Sequence, residues 1–392
     1  MQSSQLRLTL LLGALTAFAP LSIDMYLPAF PALAAHFRAE PTGIQLTLSA
    51  FFIGLAAGQI LYGPASDRFG RKLPLYFGLA LFIVASIGCA LATSLDALIA
   101  WRFVQAIGGC AGMVIARAVV RDCFDAQSSA KVYSQLMLVM GVAPIIAPAM
   151  GAQLLVWLGW PWLFWSLAAF GALCAVASIV ALPETLKPAD RHAGGVGHAL
   201  QAFAGLIRDR QFIGLALVSG LASALLFAYI AGSPFVFISQ LGLTPDHFGW
   251  LFGGNAVGLI GASQVNHKLL GRLPLRQVLR WAVTAEVVAA LALLAAAVFA
   301  PGLVTVGVPL FVCLTLLGFI LPNAGAAAMA VAGRRAGSAS ALVGTIQFGL
   351  GAVAGGLVGA GNGGGVVAMA VVVAVCGLLA RTALWRTESL QR

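Results

Sequence analysis

Apolar residues in this chain come in long runs, each closed by a short cluster of charge, proline or glycine. A helix needs about 20 apolar residues to cross the hydrocarbon core of a bilayer. Twelve runs meet that length, with approximate limits 6–33, 43–66, 73–93, 98–118, 132–157, 161–182, 211–239, 246–266, 278–300, 303–330, 338–360 and 365–385. Over 392 residues this leaves about 33 per span and loop, so no separate soluble domain fits between them. The runs at 303–330 and 338–360 are rich in glycine and alanine, a composition suited to closely packed membrane helices. The expected fold is an all-α membrane protein of twelve transmembrane helices. Arg7 and the Ala32-Leu33-Ala34 triplet imitate a secretory signal, but the run between them is too long for one and contains Asp24. It is expected to be a retained first span.

Composition narrows the class further. The chain is 61% apolar and 9% charged, with a mean hydropathy of +0.99. A soluble domain carries about 25% charged residues because most of its exterior faces water. A soluble enzyme, a nucleic-acid module and a disordered chain are thereby excluded. The net charge of +10 falls in short loops rather than in one patch, so it speaks for a bilayer and not for nucleic acid. With the N-terminus placed in the cytoplasm, 19 of the 22 Lys and Arg residues fall in cytoplasmic segments and only Arg38 in an outer loop. Arg102 and Arg117 lie within or at the ends of the fourth span. Positive charge marks the cytoplasmic side, so both termini are expected there. The six cysteines form no C-x-x-C and nearly all sit in apolar runs, where they read as small hydrophobes.

The longest polar stretch, between spans six and seven, divides the chain into residues 1–182, a cytoplasmic linker 183–210, and residues 211–392. Gly70-Arg71 after span two and Gly271-Arg272 after span eight are traces of a repeat. Two six-helix halves with a substrate site at mid-membrane form a known transporter plan.

The loop after span two reads Gly63-Pro64-Ala65-Ser66-Asp67-Arg68-Phe69-Gly70-Arg71-Lys72. A basic loop obeying the charge rule accounts for the charges but not for their order. The stretch resembles the signature loop of the major facilitator superfamily, G-x-x-[AS]-D-R-x-G-R-[RK], and stands at the same place in the span order. The resemblance implies that Gly63, Asp67, Arg68, Gly70 and Arg71 build a cytoplasmic gate, with Asp122 after span four as a third member of its clasp. Span four opens with Trp101-Arg102-Phe103-Val104-Gln105-Ala106, similar to the family's R-F-x-Q-G with alanine in place of the glycine. Span five carries Gly141, Pro144, Pro148 and Gly151, which resemble the antiporter signature of the drug-exporting branch, again with alanines at some glycine positions. Two prolines four residues apart remove two helix hydrogen bonds and favour a bend. A purely structural kink and a gating role both fit.

Asp24 in span one is the most informative single residue. A carboxyl within a span is costly, and such residues mark pathways for substrate or protons. It lies about 12 Å from the outer end and Arg102 about 6 Å, at 1.5 Å per residue, so the two depths allow a pair. Asp24 keeping an outer vestibule polar, and Arg102 snorkelling to the headgroups, are the plainer alternatives. The run Leu21-Ser22-Ile23-Asp24-Met25-Tyr26-Leu27-Pro28, with Gln45-Leu46-Thr47-Leu48-Ser49, Arg121-Asp122 and Pro183-Glu184-Thr185-Leu186, resembles the Bcr/CflA drug-resistance transporters. The second half matches through Gly232-Ser233-Pro234-Phe235-Val236 and Gly337-Ser338-Ala339-Ser340-Ala341. This resemblance implies a proton-coupled antiporter in the bacterial inner membrane. It would export small, mostly hydrophobic compounds of amphenicol, bicyclomycin or sulfonamide type, and would work as a monomer. Asp24 and Arg102 would couple the proton, while Asp24, Tyr26, Gln105, Tyr229, Asn255, Asn323 and Gln347 would line the substrate cavity.

A same-fold uniporter or symporter for a small metabolite or nutrient stays open, because fold does not fix direction. A channel would want a ring of repeated filter residues, and none repeats here. An enzyme is disfavoured by the scarcity of His and acids, and no cofactor or metal site is expected. The Gly361-Asn362-Gly363-Gly364-Gly365 cluster lacks the lysine of a phosphate-binding loop, so ATP is not the expected energy source. Glu286 in span nine is a second acid within a span. The resembled fold places that helix at the periphery, so Glu286 is expected to serve packing or an interface.

Overall fold

The computed structural model describes residues 3–123, 126–186, 196–332, 336–360 and 365–389. Among these, every regular element is helical. In chain order the helices are α1 (Ser3–Thr16), α2 (Phe18–Asp24), α3 (Phe30–Phe37), α4 (Pro41–Phe69), α5 (Lys72–Ala90), α6 (Leu95–Cys123), α7 (Ala126–Leu158), α8 (Pro161–Ala181), α9 (Val196–Ile207), α10 (Arg210–Ser233), α11 (Pro245–Leu269), α12 (Leu275–Phe299), α13 (Leu303–Ala332), α14 (Ala336–Ala360) and α15 (Val366–Ser389). A 3₁₀ turn, Leu27–Ala29, joins α2 to α3, and a π-helical turn, Pro234–Gln240, prolongs α10.

Among the described residues, ten stretches are long and apolar enough to cross a membrane. Two more helices complete twelve. In α7 the apolar stretch is the shorter Val142–Leu158. In α11 the 25 residues reach about 37 Å at 1.5 Å each, but polar residues such as Asn255 and Gln264 dilute the apolar run. Large apolar side chains are exposed on helices of both units, among them Val180 and Phe299 at 82% and 85% exposure, as a hydrocarbon solvent requires.

Two features depart from the expected spans. The first span is not one helix but the broken series α1, α2, 3₁₀ turn and α3. The cause is local: Pro20 and Pro28 bring no N–H to the carbonyls of Thr16 and Asp24, so the ladder is interrupted on both sides of α2. The stretch 183–210 contains α9, twelve residues with Phe203 and Leu206 buried and Gln201, Ala204 and Ile207 exposed. Short apolar spacing at i and i+3 is enough for this helix, and no long run announces it.

The chain forms two compact units, one of residues 1–29 and 50–200 and the other of residues 30–49 and 201–392. In the first, α5 packs on α6 and α8, and the broken first span lies against α6 and α7. Gly151 of α7 is needed for that contact, since a Cβ there would overlap the Met25 carbonyl. In the second, α10 packs on α13, α14 and α15, while α12 packs on α13 and α15. Thr42 and Gln45 of α4 donate to the carbonyls of Gly359 and Ala231 within this second unit, at 2.5 and 3.1 Å.

Candidate functional site

Asp24 ends α2 and is 3% exposed. Arg102 of α6 is wholly buried. Its Nη1 donates to Gln105 Oε1 at 2.6 Å and its Nη2 to the Ser22 carbonyl at 3.0 Å, one turn or less from Asp24 on the same short helix. Gln105 Nε2 donates on to Ser86 Oγ at 2.8 Å, and Ser86 Oγ to the Phe82 carbonyl at 2.7 Å. The guanidinium carbon lies 4.2 Å from the centre of the Phe51 ring, 4.5 Å from that of Tyr26 and 5.8 Å from that of Phe164.

The ion pair that the depths allowed is absent. Among the described residues all ion-pair contacts involve Arg71 or Arg121, and none joins Arg102 to Asp24. Arg102 is held instead by a side-chain amide, a carbonyl and three aromatic faces, whose negative quadrupoles stabilise a desolvated cation. Its Nε has no hydrogen-bond partner. Tyr26, Gln105 and Arg102 thus form one buried cluster, and Asp24 is buried two residues along α2 from the Ser22 carbonyl that joins it. Ser86, Phe51 and Phe164 belong to it too. They come from three other spans and carry no sequence signal that ties them to Arg102.

The remaining cavity candidates lie in the second unit as separate pairs. Asn255 Nδ2 donates to the Tyr229 hydroxyl at 3.0 Å, and Tyr229 stacks on Phe252. Gln347 Nε2 donates to Ser219 Oγ at 2.9 Å. Asn323 is buried and exchanges amide hydrogen bonds with Asn266, at 2.8 and 3.4 Å. That pair ties α13 to α11. Glu286 of α12 is 2% exposed, beside the Cys313 thiol and against a void of about 10 Å³ edged by residues of α10, α13 and α15. It therefore faces into the second unit rather than out of it.

The loop between α4 and α5 is tightly organised. Gly70 adopts φ 88°, a left-handed value that ends α4 and favours glycine. Arg71, 1% exposed, folds back so that Nη1 reaches Asp67 Oδ1 at 2.6 Å and Ser66 Oγ at 3.0 Å. Its Nε and Nη2 form a fork on Asp122, at 2.8 and 3.3 Å. Burial would lower the Arg71 pKa, but hydrogen bonds to Asp122 and Asp67 outweigh it and hold the group above its ordinary value. Thr185 Oγ1 donates to Asp122 at 3.0 Å. Glu184 accepts from the backbone N–H groups of Arg71 and Lys72, at 2.8 and 3.2 Å, which caps the first turn of α5. Arg68 points outward over the Phe69 ring, and Gly63 lies within α4 with open space around it. Gly141, Pro144, Pro148 and Gly151 all lie on α7. Gly361–Gly364 fall outside the described residues.

Residues 12–356 match the family described as Major Facilitator Superfamily. The chain belongs to that superfamily. It is a multi-pass membrane protein of a transporter family, not an enzyme. It is 36% identical over 357 residues to the uncharacterized MFS-type transporter YdgK of Bacillus subtilis, covering 91% of this chain and 89% of that one. It is 30% identical over 359 residues to the bicyclomycin resistance protein homolog of Haemophilus influenzae, covering 91% and 90%. The solved xylose transporter XylE from E. coli superposes with a TM-score of 0.75 over 98% of both chains at 15% identity, a likeness of fold.

Proposed function

We propose that the chain is a proton-coupled antiporter that exports small, mostly hydrophobic drugs by alternating access. The observation that carries this reading is the buried Asp24 at a break in the first span, one turn from the carbonyl that holds Arg102. A carboxyl that carries no fixed ion pair can take a proton when open to the acidic side and release it when open to the cytoplasm. Arg102, charged and caged by aromatic faces, sets the local field in which that exchange occurs. The relative named for bicyclomycin resistance supports a drug as cargo. Compounds of bicyclomycin, amphenicol or sulfonamide type are the cargo proposed. A membrane potential of about 100 mV adds about 2.3 kcal/mol per charge moved, enough for a roughly fiftyfold gradient.

In this reading Tyr26, Gln105, Tyr229, Asn255, Asn323 and Gln347 line the substrate path. Present hydrogen bonds of Gln105 to Arg102, Asn255 to Tyr229, Asn323 to Asn266 and Gln347 to Ser219 keep these polar groups satisfied until cargo exchanges for one of them. The Arg71 cluster is the cytoplasmic gate and the two prolines of α7 its kink. The protein works as a monomer in the bacterial inner membrane, with both termini cytoplasmic and six-helix halves at 1–182 and 211–392 joined by the linker 183–210. Efflux of a compound panel from a hypersensitive strain, with and without a protonophore, tests the proposal. Protonophore-sensitive efflux is expected. Proton-driven uptake of a metabolite, with no effect on any drug, would replace export by symport.

A further inference from the structure

We propose that the groove between α12 and α15 is a binding site for the headgroup of an anionic phospholipid. The groove is an open cleft of about 590 Å³ lined by Arg280, Trp281, Thr284, Ala285, Val288 and Arg381. Its chemistry is one-sided. Two arginines line it and, among the described residues, no carboxylate does. The Thr284 hydroxyl is already spent on the Arg280 carbonyl at 2.8 Å. One terminal nitrogen of Arg381, Nη1, is buried and has no hydrogen-bond partner among the described residues. An unmade hydrogen bond on a charged donor is costly, and an anionic oxygen is the acceptor that repairs it best. A phosphodiester offers two such oxygens at the spacing of a guanidinium fork.

The surroundings select a lipid over a free anion. Trp281, Ala285 and Val288 follow one another at four and three residues along α12, so they form one stripe that runs from the arginines along the helix. Trp281 and Val288 are 51% and 65% exposed. Tryptophan beside arginine marks the level of the membrane interface, and the stripe beyond it offers an apolar track for an acyl chain. Trp385, one turn after Arg381 on α15 and 62% exposed, lies on the other side of the charge level, toward the C-terminal end of α15, so tryptophans flank the arginines on both sides. Basic grooves between spans at this level suit anionic headgroups. The occupant therefore carries a phosphodiester and a hydrocarbon tail together, and it binds in the leaflet on the side of the C-terminal end of α15.

The test uses the full-length protein, stripped of lipid in detergent. Native mass spectrometry then follows titration with phosphatidylglycerol, with phosphatidylethanolamine, and with inorganic phosphate alone. Wild type should retain phosphatidylglycerol well above phosphatidylethanolamine, and inorganic phosphate should not displace it. R280Q/R381Q should weaken phosphatidylglycerol binding about thirtyfold, from the loss of two arginines near a charged surface. R208Q/R210Q, a basic pair elsewhere, should bind as wild type does. If R280Q/R381Q does not yield folded protein, R381Q alone carries the same test with about a fivefold loss. Equal retention of phosphatidylglycerol by wild type and the arginine variants would overturn the site. Displacement of the lipid by inorganic phosphate would overturn its assignment to lipid. Neither readout depends on transport, so the outcome is separate from that of the export proposal.

Discussion

Replacing Arg71 by alanine tests how burial distributes energy in the cytoplasmic cluster. The side chain is 1% exposed and makes two hydrogen bonds to Asp122, one to Asp67 and one to Ser66. Its two acidic partners differ sharply in solvation: the Asp122 side chain is 12% exposed and that of Asp67 46%. Removing one member of a buried pair strands the other charge, at a cost of about 3–5 kcal/mol when both are fully buried. Asp122 would keep only the Thr185 hydroxyl and a marginal contact to Arg121 at 3.9 Å, so most of that cost applies to it. Asp67 can rehydrate, and an exposed pair is worth about 1 kcal/mol or less. The expected losses are about 3 kcal/mol for Arg71→Ala, about 2 for Asp122→Asn and below about 1 for Asp67→Ala. Double-mutant cycles read by denaturant unfolding in detergent should give an Arg71–Asp122 coupling of about 2 kcal/mol and an Arg71–Asp67 coupling at least twofold smaller. Because Arg71 is held above its ordinary value, its share of stability is present at low pH and is lost only as pH rises through that raised value, beyond the usual assay range. The coupling should therefore not fall between neutral and mildly alkaline pH. An Arg71–Asp67 coupling equal to or above the Asp122 one would refute the argument from burial.

Further expectations follow from other contacts. Asp67→Ala should impair efflux while leaving the protein inserted and nearly as stable as wild type, through a shift of about 1–3 kcal/mol between two transport states; wild-type efflux would remove it from the gate. Glu184→Gln should lower stability by about 1 kcal/mol by weakening the cap on α5, visible as earlier unfolding in detergent. Gly151→Ala should cost about 1–3 kcal/mol, because α7 must move off the Met25 carbonyl, and a melting temperature unchanged from wild type would contradict that contact. A reporter active only in the periplasm, fused at Arg392, should stay silent; activity there would mean an odd number of spans.

The spans were legible because a bilayer imposes one rule on every segment that crosses it. Length and apolarity then suffice even for α13 and α14, whose sequences are mostly glycine, alanine and aliphatic residues. The break at Asp24 was written in Pro20 and Pro28, but its extent depends on which carbonyls lose a donor, and that needs the helix in place. Helix α9 was not legible, because its amphipathic stretch is only twelve residues long and has a glycine-rich flank. The loop between α4 and α5 was legible as a motif because the order of Gly63, Asp67, Arg68, Gly70 and Arg71 matches a family signature, and Asp67 and Arg71 do meet across Gly70. The part that Glu184 plays was not, since its partners are backbone N–H groups 112 and 113 residues away, and backbone groups leave no mark in sequence. Arg102 stood out as an arginine within a span, but the pair with Asp24 that its depth allowed is not made among the described residues. Its aromatic cage was out of reach, because Phe51 and Phe164 are ordinary apolar residues of distant spans until folding brings their faces to the guanidinium.

The claim on which the functional account turns is that Asp24 exchanges the coupled proton in the field of Arg102. The direct measurement is made in proteoliposomes with an imposed pH gradient, following drug movement and proton flux together in wild type, Asp24→Asn and Arg102→Ala. Asp24→Asn keeps the size of the side chain and removes its charge change. It should still bind neutral drug but lose proton-driven transport, and Arg102→Ala should damage the same step. Proton-driven drug movement by Asp24→Asn at the wild-type rate would contradict the account and turn attention to Glu286, the other acid buried within a span.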